Sequence, residues 1–254
     1  MKVKFWQRRE LHVSVLVVLV FALAAFADRN ARHHVCRDIV VKLDNFRENH
    51  FLDEADVLRM AEAGPSRLRS VRFAEMDFRA MERRLLQHRN LKEVQVYNDL
   101  KGNLIIRAAL RRPMARLVQE RGADAYLSEE GVVMPVSERY SSRVLVLSGP
   151  RVPEILRRQS IVGTDWGKQL IGLLTFLRDD PFWSAQIAEV YLREDGTVTL
   201  FPQVGSQTIA FGKPENLEEK FFRLRVFYKE VLPRRGWNTY SRISVEYAGQ
   251  VIAR

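Results

Sequence analysis

Hydrophobic and polar positions along this chain follow three different patterns. From Leu11 to Ala27 there is no alternation: "LHVSVLVVLVFALAAFA" carries no charged residue and is dominated by Val, Leu, Phe and Ala. Two short regions repeat their apolar residues every three or four positions, the spacing of one helical face. Asp53 is placed to cap a helix over "DEADVLRMAEAG", which Gly64 and Pro65 stop, and Asp77 to cap "FRAMERRLLQHR", with Phe78, Met81 and Leu85 on one face. Around these helices the period drops to two. "CRDIVVKLDN", "LKEVQVYND" and "GNLIIRAAL" read as strands, the last two joined by a polar turn at Leu100 to Asn103. The order is β-α-α-β-β, enough for a small independent core.

After Pro113 the texture changes. "ARLVQERG", "AYLSEEGVVMPV" and "SRVLVLSG" read as strands, a helix fills "DWGKQLIGLLTFLRDD" up to Pro181, and "IAEVYLRED", "TVTLFPQV" and "SQTIAFG" follow as an antiparallel meander. Asn216 and Glu219 have capping-box spacing at the start of a further helix. Its apolar stripe is Leu217, Phe221, Leu224, Tyr228 and Val231, and Pro233 ends it. A final strand begins near Thr239. In "RISVEYAGQVIAR", Ile243, Val245 and Tyr247 face one way and Arg242, Ser244 and Glu246 the other. The fold class is therefore α+β. The expected plan is a tail over residues 1–10, a membrane helix at 11–27, a linker at 28–35, the β-α-α-β-β module at 36–112 and a mainly β domain at 113–254.

As a helix, the Leu11–Ala27 segment spans about 25 Å, slightly less than a hydrocarbon core. Phe5 and Trp6 precede it, and Lys2, Lys4, Arg8 and Arg9 place the N-terminus in the cytoplasm by the positive-inside bias. Two readings stand. "AFA" before Asp28 has the shape of a signal-peptidase site and the apolar run is short, whereas the strong hydrophobicity of Val15 to Phe21 and the extension of the run right up to Ala27 favour a retained anchor. Either one puts the folded part outside the cytoplasmic membrane.

The net charge of +10 favours anionic partners, but the arginines are scattered among acids, without the basic–aromatic blocks of a nucleic-acid surface. One cysteine, Cys36, rules out an internal disulfide. Histidines 33 and 34 with Cys36 lack zinc-site spacing. No nucleophile elbow, phosphate loop, dinucleotide fingerprint or zincin motif occurs, and Asp179-Asp180 and Glu129-Glu130 read as turn residues. The expectation is a protein without enzymatic activity, cofactor or metal. What stands out is the terminal strand. Its edge lacks the proline or inward charge that usually blunts one, so either the chain shields it or an extended partner segment pairs with it.

Several stretches carry a resemblance. "NLIIRAALRRPMARL" is similar to the strand and R-x-P-x-A hinge of the bacterial cell-division family FtsQ/DivIB, "AYLSEEGVVMPV" to its following hairpin, "DGTVTLFPQVGSQTIAFG" to its long central hairpin and "VEYAGQVIA" to its terminal strand. The family's order, a short tail, one membrane helix, a POTRA domain and a β domain, matches nearly the whole chain. The resemblance implies a non-enzymatic division scaffold at the septum that receives the small coiled-coil protein FtsB, itself paired with FtsL, outside the membrane. Carried over by position, Val245, Tyr247, Gly249, Gln250 and Val251 would supply the receiving edge. Gly249 would leave room for a close backbone approach and Tyr247 would give an amphipathic contact. Phe222 and Arg225, off the core stripe of the preceding helix, would reach the added strand. The rival readings are a POTRA-bearing component of outer-membrane assembly or secretion, and a secreted cell-wall enzyme.

Overall fold

A computed structural model of the protein describes residues 13, 15–21, 35–46, 49–63 and 68–254. Among them no helix is long and apolar enough to cross a membrane. Residues 13 and 15–21 are helical with exposed side chains. The rest of the expected 11–27 helix, the 1–10 tail and all but Val35 of the linker lie outside the described residues, as does the Gly64-Pro65 stop.

The described chain forms two compact units. The first takes in β1 (Asp38–Asp44) and Asp53–Ala109. Its sheet has the order β1-β3-β2, from β2 (Leu91–Asn98) and β3 (Asn103–Leu110). β1 lies parallel to β3, with Ile39 opposite Leu104 and Val41 opposite Ile106. A parallel pair needs a crossover, and the two expected helices supply it. Asp53 caps the Glu54–Glu62 helix by accepting from the Asp56 N–H at 2.7 Å, and Asp56 returns the bond to the Asp53 N–H at 3.0 Å. Asp77 likewise caps Phe78–Leu85. Val57, Ala61, Met81 and Leu85 bury one helical face each, with Leu104, Ile106 and Ala108 also in the core. Cys36 is buried as well, which pushes its thiol pKa up and leaves it an inert filler.

The second unit is Asn45–Leu52 together with Leu110–Arg254. Its nine strands run in the order β12-β11-β10-β9-β8-β7-β4-β5-β6. They are β4 (Pro113–Leu117), β5 (Ala125–Ser128), β6 (Val133–Pro135), β7 (Leu145–Ser148), β8 (Ile187–Leu192), β9 (Val198–Pro202), β10 (Thr208–Gly212), β11 (Arg242–Ser244) and β12 (Ile252–Ala253). The expected meander forms as β8-β9-β10, and β4-β5-β6 is a second antiparallel run. β4 pairs parallel with β7, β7 with β8 and β10 with β11, so the sheet is mixed. The parallel β7–β8 pair requires a long helical crossover, and the chain provides more of it than periodicity shows. Val152–Leu156 and Pro181–Gln186 are short helices flanking the expected one at Asp165–Asp179.

The helix over Leu217–Val226 also departs from expectation at both ends. Asn216 is left-handed, with φ 52°, and makes no side-chain cap, so the capping box does not form. Pro233 does not end the helix. The chain passes through a π turn at Phe227–Val231 into Leu232–Arg235, where Pro233 sits in a first turn and needs no N–H partner. The stripe itself packs as its spacing predicts. Phe221, Leu224 and Tyr228 are buried, and the Phe221 ring stacks on Phe176 at 4.6 Å, joining the two long helices over the sheet.

Candidate partner-binding edge

The two edges of the nine-stranded sheet are treated differently. At one end, β6 is covered by its own chain: the Val133 N–H donates to the Gln159 carbonyl at 3.0 Å, Val132 bridges Ser160, and Pro135 ends the strand. At the other end lies β12. The expected continuous terminal strand is in fact two short pieces. β11 runs from Arg242 to Ser244, the chain turns, and β12 comes back antiparallel with Ile243 opposite Ala253 and Ser244 opposite Ile252. The outer side of β11 is thus filled by the molecule's own backbone, and the receiving edge cannot be there.

The exposed row moves one strand outward. Arg242 and Arg254 exchange both main-chain bonds, at 3.1 and 2.9 Å. In an antiparallel ladder the next residues along form a non-bonded pair. The N–H and C=O of Ala253 therefore point away from β11, and among the described residues no strand pairs with them.

The sequence-predicted residues fall into three groups. Val245 is fully buried and its N–H donates to the Ala210 carbonyl at 3.0 Å, continuing the β10–β11 pairing. It is a core residue and not part of an edge, because the parallel register carries its side chain under the helices. Arg225 pairs with Asp180 and lies over the Phe182 ring at 5.1 Å, so its charge is engaged at the junction of the Asp165–Asp179 and Pro181–Gln186 helices. Tyr247, Gly249, Gln250 and Val251 do come together, but as the turn that leads into β12. Gly249 has φ +72° and open space around it, so the turn's left-handed conformation explains this glycine. Tyr247 is 58% exposed, and Phe222, on the helix beside this turn, is 68% exposed.

Arg223 is the residue that pattern reading missed. Its guanidinium donates to the carbonyls of Tyr247 at 2.6 Å, Val245 at 3.3 Å and Gln250. One helical turn earlier Glu219 accepts from the Gly249 N–H at 3.4 Å and lies 3.6 Å from Arg223. A glutamate and an arginine four apart look like an ordinary solvated helix pair in sequence. Here that pair is the clamp that shapes the turn and delivers β12 to the sheet.

Lys220 supports the same region from below. Buried between helix and sheet, its ammonium donates to the carbonyls of Phe211 at 3.1 Å and Lys213 at 2.7 Å, and burial lowers its pKa. These carbonyls lie at the bulge between Ala210 and Gly212, where β10 leaves the ladder. Gly212 has φ +75°, and a Cβ there would meet the Glu246 side chain at 3.0 Å. Backbone groups released by the bulge thus find a charged donor instead of water. Among the described residues no group of three His, Cys, Asp or Glu could hold a metal ion.

A family model described as FtsQ/DivIB, C-terminal related, matches residues 112–254, more than half of the chain. The chain belongs to the FtsQ/DivIB family. A model for a POTRA-like domain matches residues 34–109, in agreement with the β-α-α-β-β unit. No curated protein matches the chain. The FtsQ/DivIB match identifies a cell-division protein with a POTRA domain, from a family of division-site membrane proteins that act as non-enzymatic scaffolds. It answers the outer-membrane assembly reading, and the family implies division-machinery proteins as partners.

Proposed function

We propose that this FtsQ/DivIB protein is a single-pass scaffold, anchored through Leu11–Ala27 with its N-terminus in the cytoplasm. It joins early and late components of septal peptidoglycan synthesis by receiving an extended segment of an FtsB/FtsL-type partner outside the membrane. The docking strand is β12. The observation that carries the reading is the outward N–H and C=O of Ala253 on an edge that no strand among the described residues covers, in a sheet whose opposite edge the chain covers itself. Main-chain bonds of this kind supply affinity in strand addition, and flanking side chains supply selectivity. Tyr247 and Phe222 are the exposed apolar residues near the entry turn.

The deciding variant is Ala253→Pro. Residue 253 does not bond to β11, so proline leaves the β11–β12 pair intact while deleting the outward donor. Capture of an FtsB/FtsL-type pair by the full chain is expected to fall at least tenfold, with unchanged circular dichroism; undiminished capture rejects β12 as the edge. Mass spectrometry of the mature N-terminus checks the anchor, and a chain starting at Asp28 would show that it is removed.

A further inference from the structure

We infer, resting on the β12 docking reading, that the segment received there carries a carboxylate on the outer face of the sheet beside Arg254, next to two apolar residues. The register leads to this. Arg242 and Arg254 form a directly opposed pair, so their side chains leave the same face. The neighbouring pair, Ile243 and Ala253, points the other way, and Ile243 is fully buried in the core. The two arginines are therefore on the solvent face, side by side on adjacent strands.

Like charges in that arrangement oppose each other. Arg242 has only a long contact to Glu246, at 3.8 Å, and Arg254 is exposed with no ion pair among the described residues. Glu246, which also accepts from the Ser244 hydroxyl at 3.1 Å, is thus the one carboxylate seen on this face among the described residues, and it reaches Arg242 but not Arg254. The sheet edge thus holds two adjacent guanidinium groups and an outward peptide group within three residues.

A strand added outside β12 must place one residue beside Arg254, one beside Ala253 and one beside Ile252. The first shares the arginines' face, where a carboxylate would offset both charges and a lysine would add a third. The second points toward the core face, where the Ala253 methyl leaves room and where Val251 and Ala253 pack against the buried cluster. A large aliphatic residue fits there. The third returns to the outer face beside the half-buried Ile252 and matches an apolar side chain. The motif is acidic–aliphatic–apolar over three consecutive residues, read in either direction according to strand polarity. A second copy of this chain would bring another basic edge against this one. An anionic lipid would satisfy the arginines but not the Ala253 peptide group.

The test uses the full chain in detergent and three labelled, end-blocked peptides, Thr-Thr-X-Val-Ile-Thr-Thr with X as Glu, Gln or Lys, followed by fluorescence anisotropy. The Glu peptide is expected to bind about fivefold tighter than the Gln peptide at low salt, the difference shrinking as salt is raised. Arg254→Glu should reverse the order in favour of Lys, and Ala253→Pro should abolish binding of all three. Equal binding of the three peptides, lost with Ala253→Pro, overturns the charge inference and leaves the docking edge standing. A Glu preference that survives Ala253→Pro would mean ionic attraction without strand pairing, and would overturn both. Absence of binding by every peptide up to about 1 mM also overturns both. Self-association of the chain that Ala253→Pro removes would make a second copy the occupant and overturn the acidic partner.

Discussion

Replacing Arg223 with alanine is expected to lower the stability of the C-terminal unit by about 2–3 kcal/mol and to free the last residues of the chain from the sheet. The side chain is only 13% exposed, and three carbonyls, those of Val245, Tyr247 and Gln250, depend on it. Alanine leaves all three short of a charged donor, and the Val245 carbonyl, part-buried, is the one water replaces least well. β12 is held by a short ladder, closed by the Arg242–Arg254 pair, and by the turn that Arg223 shapes, so it should fray first. Hydrogen exchange reads this directly. The Arg254 amide, bonded to the Arg242 carbonyl at 2.9 Å, should lose protection, while amides of β8 and β9 keep theirs relative to global unfolding. Arg223→Lys should rescue little, because one ammonium cannot span three carbonyls as the planar fork does. Full protection of Arg254 in the alanine variant would show that the turn holds itself.

A larger loss is expected from Trp183→Ala, about 3–5 kcal/mol measured by urea unfolding. Trp183 is fully buried at the start of the short helix after Pro181, with ring contacts to Phe182 at 4.8 Å, Phe221 at 5.1 Å and Tyr228 at 5.6 Å. It ties together the two crossover helices and the Leu217–Val226 helix. No neighbour is shaped to refill the space, because the surrounding rings are themselves locked against each other. The transition of the C-terminal unit should shift while that of the POTRA unit stays in place. A loss below about 1 kcal/mol would mean that the aromatic cluster collapses around the gap.

Long periodic elements were legible from sequence because burial of one face fixes them. The Phe78–Leu85 and Asp165–Asp179 helices and the strands β2, β3, β8, β9 and β10 are where the apolar spacing puts them. The membership of the chain in the FtsQ/DivIB family was legible too, through the order of motifs. What escaped depends on long-range geometry. Pro233 reads as a helix stop, but a π turn realigns the chain before it and makes it a first-turn residue. The alternation from Arg242 to Tyr247 reads as one long strand, yet Val245 belongs to the core and the chain doubles back at Gly249. Glycine before a short apolar run fits either a strand or a turn, and only the Arg223 clamp, distant in sequence, decides between them. Arg225 and Arg223 are equivalent in composition. Their different fates follow from which helix face meets Asp180 and which meets the terminal turn.

The grouping of Asn45–Leu52 with the C-terminal unit changes how this protein should be dissected. Phe51 is buried against Tyr126 at 4.8 Å and beside Met134, and Asn49 holds the Arg111 carbonyl while accepting from the Phe51 N–H. A fragment started at Leu110 would omit that plug and present a sticky aromatic slot to its surroundings. Each module is compact in itself but interrupted along the chain, so a cloning boundary drawn by residue number alone cuts through one of them.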